Sequence, residues 1–297
     1  MNGSGRRVGY RAGLWAMLSP FLVGAVALVV IPVVATSYFA FTRYDAITPA
    51  RFVGLDVFRD LLRYPELRSA LVSTGVFLAI AVPLRIAGGL ALALLMHRRE
   101  RLAVSGRVAV YAPSVVPEPA TALVWLWIVN PVYGPVGLIT RAVGETPSPV
   151  LLSTWGARLT IIAIAVFAVG EGFLVTLAAR RELPTVLYDV ARAEGAGAWA
   201  AFRRVTLPGL APVLGLLSAR DLLTSMQVTL VPTLLLTRGG PLNATKTLPV
   251  LIYERGFREL RFGDAAALAL VLTVVTGLLV ALQLRLLRRW SPSLRAD

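Results

Sequence analysis

The sequence predicts an all-α integral membrane protein: six transmembrane helices and, between the fourth and fifth, a polar helical hairpin. Three observations predict it. The 297 residues are 57% hydrophobic and only 15% charged, with a mean hydropathy of +0.72, a balance typical of chains that sit in lipid. Six apolar runs of spanning length alternate with polar connections. Arginine, which supplies every basic residue except Lys246, gathers near the ends of those runs.

The same composition removes several function classes. A net charge of +14 would suggest nucleic acid for a soluble protein. Here the arginines lie between apolar runs, so the predicted partners are anionic lipid headgroups of the bilayer and another protein, with no nucleic acid. The chain has no cysteine and one histidine, His97. That excludes disulfides, thiolate sites and a histidine-based metal cluster or catalytic triad within it. No catalytic residue and no metal ligand is predicted.

Residues 1–12 read as a basic tail with Arg6, Arg7 and Arg11. The run from Gly13 to about Phe41 is too long for the core of a signal peptide and is read as the first span, bent by Pro20 and Pro32. Residues 43–69 form a charge-balanced connection with a short helix lying beside the membrane. The second span covers 70–96 and ends in a basic cluster from His97 to Arg101. The third, 108–129, carries Pro113, Pro117 and Pro119, tolerable at membrane depth only where neighbours or a polar cavity satisfy the freed backbone groups. A Gly- and Pro-rich external loop, 130–156, precedes the fourth span, 157–179. The fifth covers 207–237 and the sixth 262–287. Residues 13–288 thus form one transmembrane domain, flanked by tails 1–12 and 289–297. The arginine clusters place both termini and the hairpin on the cytoplasmic side.

The hairpin is the stretch 183–208, LPTVLYDVARAEGAGAWAAFRRVTLP. Pro184 opens a helix on which Val186, Leu187, Val190 and Ala191 follow helical spacing. Gly195 and Gly197 interrupt it, and a second short helix through Trp199, Phe202 and Val205 runs to Pro208. Such a basic amphipathic hairpin lies on a membrane surface or docks into a groove of another protein.

At this point the residues carry a resemblance. Asp189-Val190-Ala191, three residues, Gly195, nine residues and Val205-Thr206-Leu207-Pro208 is similar to the cytoplasmic loop of ABC-importer permeases, with Asp189 and Val190 departing from the usual Glu and Ala. Phe52-Val53-Gly54-Leu55 and Thr237-Arg238-Gly239-Gly240-Pro241 resemble segments of the sugar and oligosaccharide group, the maltose and glycerol-3-phosphate type. The resemblance implies the type I importer permease fold and a transport subunit, not an enzyme. It forms the path for a sugar, oligosaccharide or related polyol delivered by an extracytoplasmic substrate-binding protein. It further implies two ATP-binding ABC subunits, a second and different permease, and location in the bacterial inner membrane. No cofactor is bound by this chain; ATP and magnesium belong to the partner ATPase. A permease for a non-sugar solute and an ion-coupled secondary transporter are the alternatives. The stretch 240–247 faintly resembles a phosphate loop but has Thr245 where its second glycine is needed.

By that resemblance the ATPase-coupling residues are Leu187, Asp189, Val190, Ala191, Glu194, Gly195, Ala198, Phe202, Leu207 and Pro208. Leu187, Val190, Ala191, Ala198 and Phe202 fill a groove on the ATPase, while Asp189 and Glu194 pair with its basic groups. Arg203 and Arg204 instead touch lipid phosphates or simply stand on the surface. Ionisable residues inside spans are costly and point to function. Glu118, Glu171 and Asp221, with Ser225, Gln227 and Thr229, are therefore the candidate substrate path. Glu171, read as mid-helix, contacts substrate or forms a buried ion pair with Arg85 or Arg220. Trp125 and Trp127 read as an interfacial aromatic belt, with stacking on a sugar ring as the alternative.

Overall fold

The computed structural model describes residues 4–97 and 101–290. In chain order the helices are α1 (Ser4–Ala25), α2 (Ile31–Phe39), α3 (Asp56–Arg63), α4 (Pro65–Leu95), α5 (Arg101–Tyr111), α6 (Glu118–Ile128), α7 (Pro135–Ala142) and α8 (Thr154–Phe167). There follow α9 (Gly170–Glu182), α10 (Thr185–Ala193), α11 (Ala198–Ala201), α12 (Leu207–Val228), α13 (Leu230–Leu236), α14 (Leu248–Tyr253) and α15 (Phe262–Trp290). Strands β1 (Thr42–Arg43) and β2 (Arg51–Phe52) pair antiparallel with Thr42 opposite Phe52. The connection expected to hold only a helix thus also holds a minimal hairpin. The chain forms two compact units, one from residues up to 63 with 252–271, the other from 64–251 with 272 onward.

Among the described residues, four helices are long and apolar enough to cross a membrane: Gly13–Phe39, Pro65–Leu95, Ala198–Gln227 and Phe262–Leu287. A fifth span results if α8 and α9, bent by 44°, count as one. The expected third span is broken. A 3₁₀ turn at Ala112–Val115 ends α5, and α6 begins only after the extended Val116 and Pro117. The cause is the run of prolines: Pro117 and Pro119 lack the N–H that would continue the ladder and clash with the preceding turn.

Prolines elsewhere are absorbed without a break. Five-residue π turns, Val26–Val30 and Phe202–Thr206, stand just ahead of Pro32 and Pro208. The wider turn shifts the carbonyl that a proline ring would strike and leaves no donor needed there. Pro208 therefore does not end the hairpin's second helix, as the sequence suggested. That helix runs on into the fifth span, which stops at Val228 rather than Thr237. The N-terminal stretch read as a tail is likewise helical from Ser4.

The first unit is held by aromatic packing. Phe39 stacks on Tyr44 at 4.7 Å, Phe41 meets Phe58 at 5.4 Å, and α3 buries Val57 and Leu61. Gly263 donates its N–H to the Tyr44 carbonyl at 3.1 Å, so close to the Thr42 carbonyl that a side chain would not fit. The second unit has an apolar core of Phe77, Leu78, Ala81 and Val82 on α4, Ile161, Ile162, Ile164 and Ala165 on α8, and Met226 on α12. Ala93, Phe173 and Leu177 extend it between α4 and α9. There Gly89 lets the helices approach until a Cβ would lie 3.2 Å from the Phe173 nitrogen. The turn after α13 is pinned to this core. Ser73 Oγ and Arg158 Nε donate to the Ala244 carbonyl at 3.0 and 2.9 Å, and the Leu248 N–H donates to Thr74 Oγ1 at 2.9 Å.

Candidate functional site

Two features of the second unit break the usual distribution of polar and apolar groups. The first is a cavity of ≈ 240 Å³ where the breaks in two successive segments meet. One break separates α5 from α6 at Val116–Pro117; the other separates α8 from α9 at Ala168–Val169. They are fastened together: the Gly170 N–H, free at the start of α9, donates to Ser114 Oγ at 3.0 Å. Arg85 of α4 reaches the Ala168 carbonyl, left open by the break, at 3.5 Å. A side chain at position 170 would lie 2.8 Å from the Tyr111 Cα, so glycine is what permits this approach.

Arg85, Arg220, Glu118 and Glu171 line this cavity, and each arginine has a carboxylate partner. Arg85 faces Asp221 at 3.3 Å, both side chains almost fully buried. Their geometry is off the axis of a hydrogen bond, so the attraction is Coulombic and acts in a medium that screens it little. Arg220, the residue preceding Asp221 on α12, pairs with Glu171 of α9, and both are about half exposed. Glu118, first residue of α6, is exposed on the wall, with Ser114, Thr121, Thr224 and Gln227 beside it. Hydroxyl, amide, guanidinium and carboxylate groups together can both donate to and accept from a polyhydroxylated solute.

The second feature is the hairpin. Helix α10 closes with a Schellman motif: the Gly195 N–H bonds the Arg192 carbonyl at 3.0 Å and the Ala196 N–H that of Ala191 at 2.9 Å. Gly195 takes φ +77°, which side-chain-bearing residues rarely adopt. Gly197 then starts α11. Tyr188 ties the two arms, its hydroxyl 2.9 Å from Thr206 Oγ1 and its ring under the Arg180 guanidinium at 4.3 Å. Outward from this frame stand Val186, Leu187, Val190 and Trp199, from 48% to 71% exposed.

The structure redistributes the predicted residues. Leu187, Asp189, Val190, Glu194, Gly195, Ala198, Leu207 and Pro208 are exposed and Phe202 is half-buried under the Trp199 ring at 5.3 Å. Ala191 is buried, since the inward side of α10 packs on the second arm, and it offers no surface to a partner. Asp189 already has a neighbour, Arg192 at 2.5 Å. Val186 and Trp199 belong to the exposed face; their apolar character and helical spacing were legible signals. In the cavity, Glu118, Glu171 and Gln227 line the wall. Ser225 and Thr229 do not: both are buried away from it, and Thr224 stands in their place. Glu171 is in the first turn of α9 rather than mid-helix, because the backbone breaks two residues before it. Asp221 is committed to Arg85. Trp125 packs into the core, edge-on to Phe167 at 5.9 Å, while Trp127 is exposed. Only Trp127 retains the surface position an interfacial belt requires.

Residues 85–293, more than half of the chain, match the family described as binding-protein-dependent transport system inner membrane components. The chain belongs to that family. Named relatives align along nearly its whole length. It is 26% identical over 287 residues, 93% of the chain and 90% of the relative, to "Probable ABC transporter permease protein YesP" of Bacillus subtilis. It is 26% identical to "Probable starch degradation products transport system permease protein AmyD" of Thermoanaerobacterium thermosulfurigenes, with 88% and 89% covered. It is 27% identical to the sn-glycerol-3-phosphate transport system permease protein UgpA of Brucella abortus, with 92% and 94% covered. A chain of a bacterial ABC transporter involved in the import of the acidic polysaccharide alginate shares the fold, with TM-score 0.82, 22% identity and coverage of 96% and 98%. This inner membrane component is a permease of an ABC importer, a transport subunit rather than an enzyme.

Proposed function

We propose that this chain is one of two permease subunits of an importer that carries a sugar, oligosaccharide or related polyol across the bacterial inner membrane. An external binding protein delivers the solute, two ATPase subunits with their ATP and magnesium drive the cycle, and the second permease is a different chain. Six spans put both termini and the hairpin in the cytoplasm, the broken α5–α6 segment and the α8–α9 pair each serving as one span. The names of the relatives support the solute class.

The observation that carries the coupling role is the exposed apolar edge of Val186, Leu187, Val190 and Trp199 on a hairpin whose fold is internally complete. Apolar side chains exposed together beside charged ones are the mark of a docking surface. Helix α9 leads straight into the hairpin and a continuous helix leads back from it, so movement of the hairpin is transmitted to the cavity wall at Glu171 and Arg220. Carboxylates at broken helices also suit an ion-coupled carrier; family membership and the names of the relatives support the ATP-driven reading.

The test is co-purification of the chain with its ATPase, comparing wild type with Leu187→Asp/Val190→Asp. Both sites are solvent-facing, so the variant folds, and it is expected to lose ATPase association and uptake together. Solute transport by the wild-type chain in vesicles without any ATPase overturns the proposal.

A further inference from the structure

We propose that the cavity at the joined helix breaks selects against anions, so that the solute passing it is an uncharged or cationic polyhydroxylated molecule: a neutral saccharide, a polyol or an amino sugar. This rests on the importer reading above and narrows its substrate class. Each arginine at the cavity already has its own carboxylate, Arg85 with Asp221 and Arg220 with Glu171. Glu118 is left over: it lines the cavity and, among the described residues, makes no ion pair. Asp221 is buried behind Arg85 and off the wall itself, so the charges at and directly behind the wall sum to one negative in excess. Low-dielectric surroundings at membrane depth focus that charge on whatever enters.

The helix ends act in the same direction. The starts of α6 and α9 both open at the cavity, and a helix start is ordinarily attractive to anions. Here each has its own carboxylate in its first turn, Glu118 on α6 and Glu171 on α9. An acidic solute that took Arg220 would release Glu171, and would then lie against both Glu171 and Glu118. Like charges so juxtaposed discriminate strongly between ligands. A neutral saccharide meets no such conflict. Its hydroxyls donate to the two glutamates and accept from Arg220 and the Gln227 amide, leaving both ion pairs intact. The chain of the alginate importer has the same fold; the charge balance of this cavity assigns the present protein to a different solute class.

The absence of cysteine gives a direct test. Thr224→Cys places a near-isosteric thiol on the wall, and Ser148→Cys places one on an exposed loop. In membrane vesicles holding the assembled importer, each thiol is reacted with a trimethylammonium and a sulfonate methanethiosulfonate, and labelling of this chain is read by mass spectrometry. The cation-to-anion rate ratio at position 224 is expected to exceed that at position 148 by about tenfold, as a focused field of one charge allows. Adding Glu118→Gln should bring the ratio back toward the loop value. An equal or faster anionic reagent overturns the proposal. So does a site that neither reagent reaches, or a ratio that Glu118→Gln leaves unmoved. The labelling ratio at position 224 does not depend on how Leu187→Asp/Val190→Asp behaves, so failure of the hairpin experiment and failure of this one are distinct results.

Discussion

The cavity and the hairpin violate opposite rules within one compact unit. The cavity sets two arginines and two glutamates on a wall built largely from apolar helices, with Asp221 buried behind Arg85. The hairpin sets valine, leucine and tryptophan side chains in the open on a helix pair studded with arginine. Each violation is stabilised differently. In the cavity Arg85 and Asp221 stabilise each other in the interior, so that pair is part of the architecture and neither member can be removed singly without cost. In the hairpin the frame is made by the Schellman turn and the Tyr188–Thr206 bond. Its exposed apolar residues contribute little to that frame and are free to serve a partner. Changes in the cavity should therefore appear first as instability, and changes on the hairpin face first as lost association.

The largest effect tests the buried pair. Asp221→Ala strands Arg85 in the interior and is expected to cost about 3–5 kcal/mol, read from thermal unfolding in detergent. The double variant Arg85→Met/Asp221→Leu should recover most of that loss. A harmless single variant would break the contrast. Next is Gly170→Ala, whose new methyl would meet the Tyr111 Cα at 2.8 Å. Overpacking of this kind costs about 1–3 kcal/mol. Uptake should fall while ATPase association persists, because the change lies at the cavity end of α9. Tyr188→Phe removes the bond to Thr206 and should cost about 1 kcal/mol, seen as faster proteolysis of the hairpin. Glu171→Gln is the smallest in stability, under about 1 kcal/mol, since its pair with Arg220 is half exposed and screened. Its uptake rate should nevertheless change, which separates the accessible pair from the buried one. Leu187→Asp/Val190→Asp completes the comparison with unaltered melting and lost ATPase binding.

Much of this was legible before any coordinates. Among the described residues the apolar runs located four long helices, Gly13–Phe39, Pro65–Leu95, Ala198–Gln227 and Phe262–Leu287, and the spacing of Asp189, Gly195 and Pro208 located the hairpin. Proline positions warned of irregular helices but did not say which would break. Pro117 and Pro119 stand close together and disrupt the ladder, whereas Pro32 and Pro208 are each absorbed by a π turn. Ser225 and Thr229 share a helix face with Asp221, and that face turned out to be the buried one, away from the cavity.

The sequence by itself determined that the chain is a helical membrane protein, where its hairpin bends, and which few charges fall within its apolar runs. Those properties follow from composition and from periodicity within a single helix. Only the tertiary structure decided that Arg85 belongs to Asp221 and Arg220 to Glu171, and that Glu118 lines the cavity with no ion pair among the described residues. Such pairings depend on which helices become neighbours and how each is rotated. Helical periodicity, which records a residue's place only on its own helix, carries no information about either.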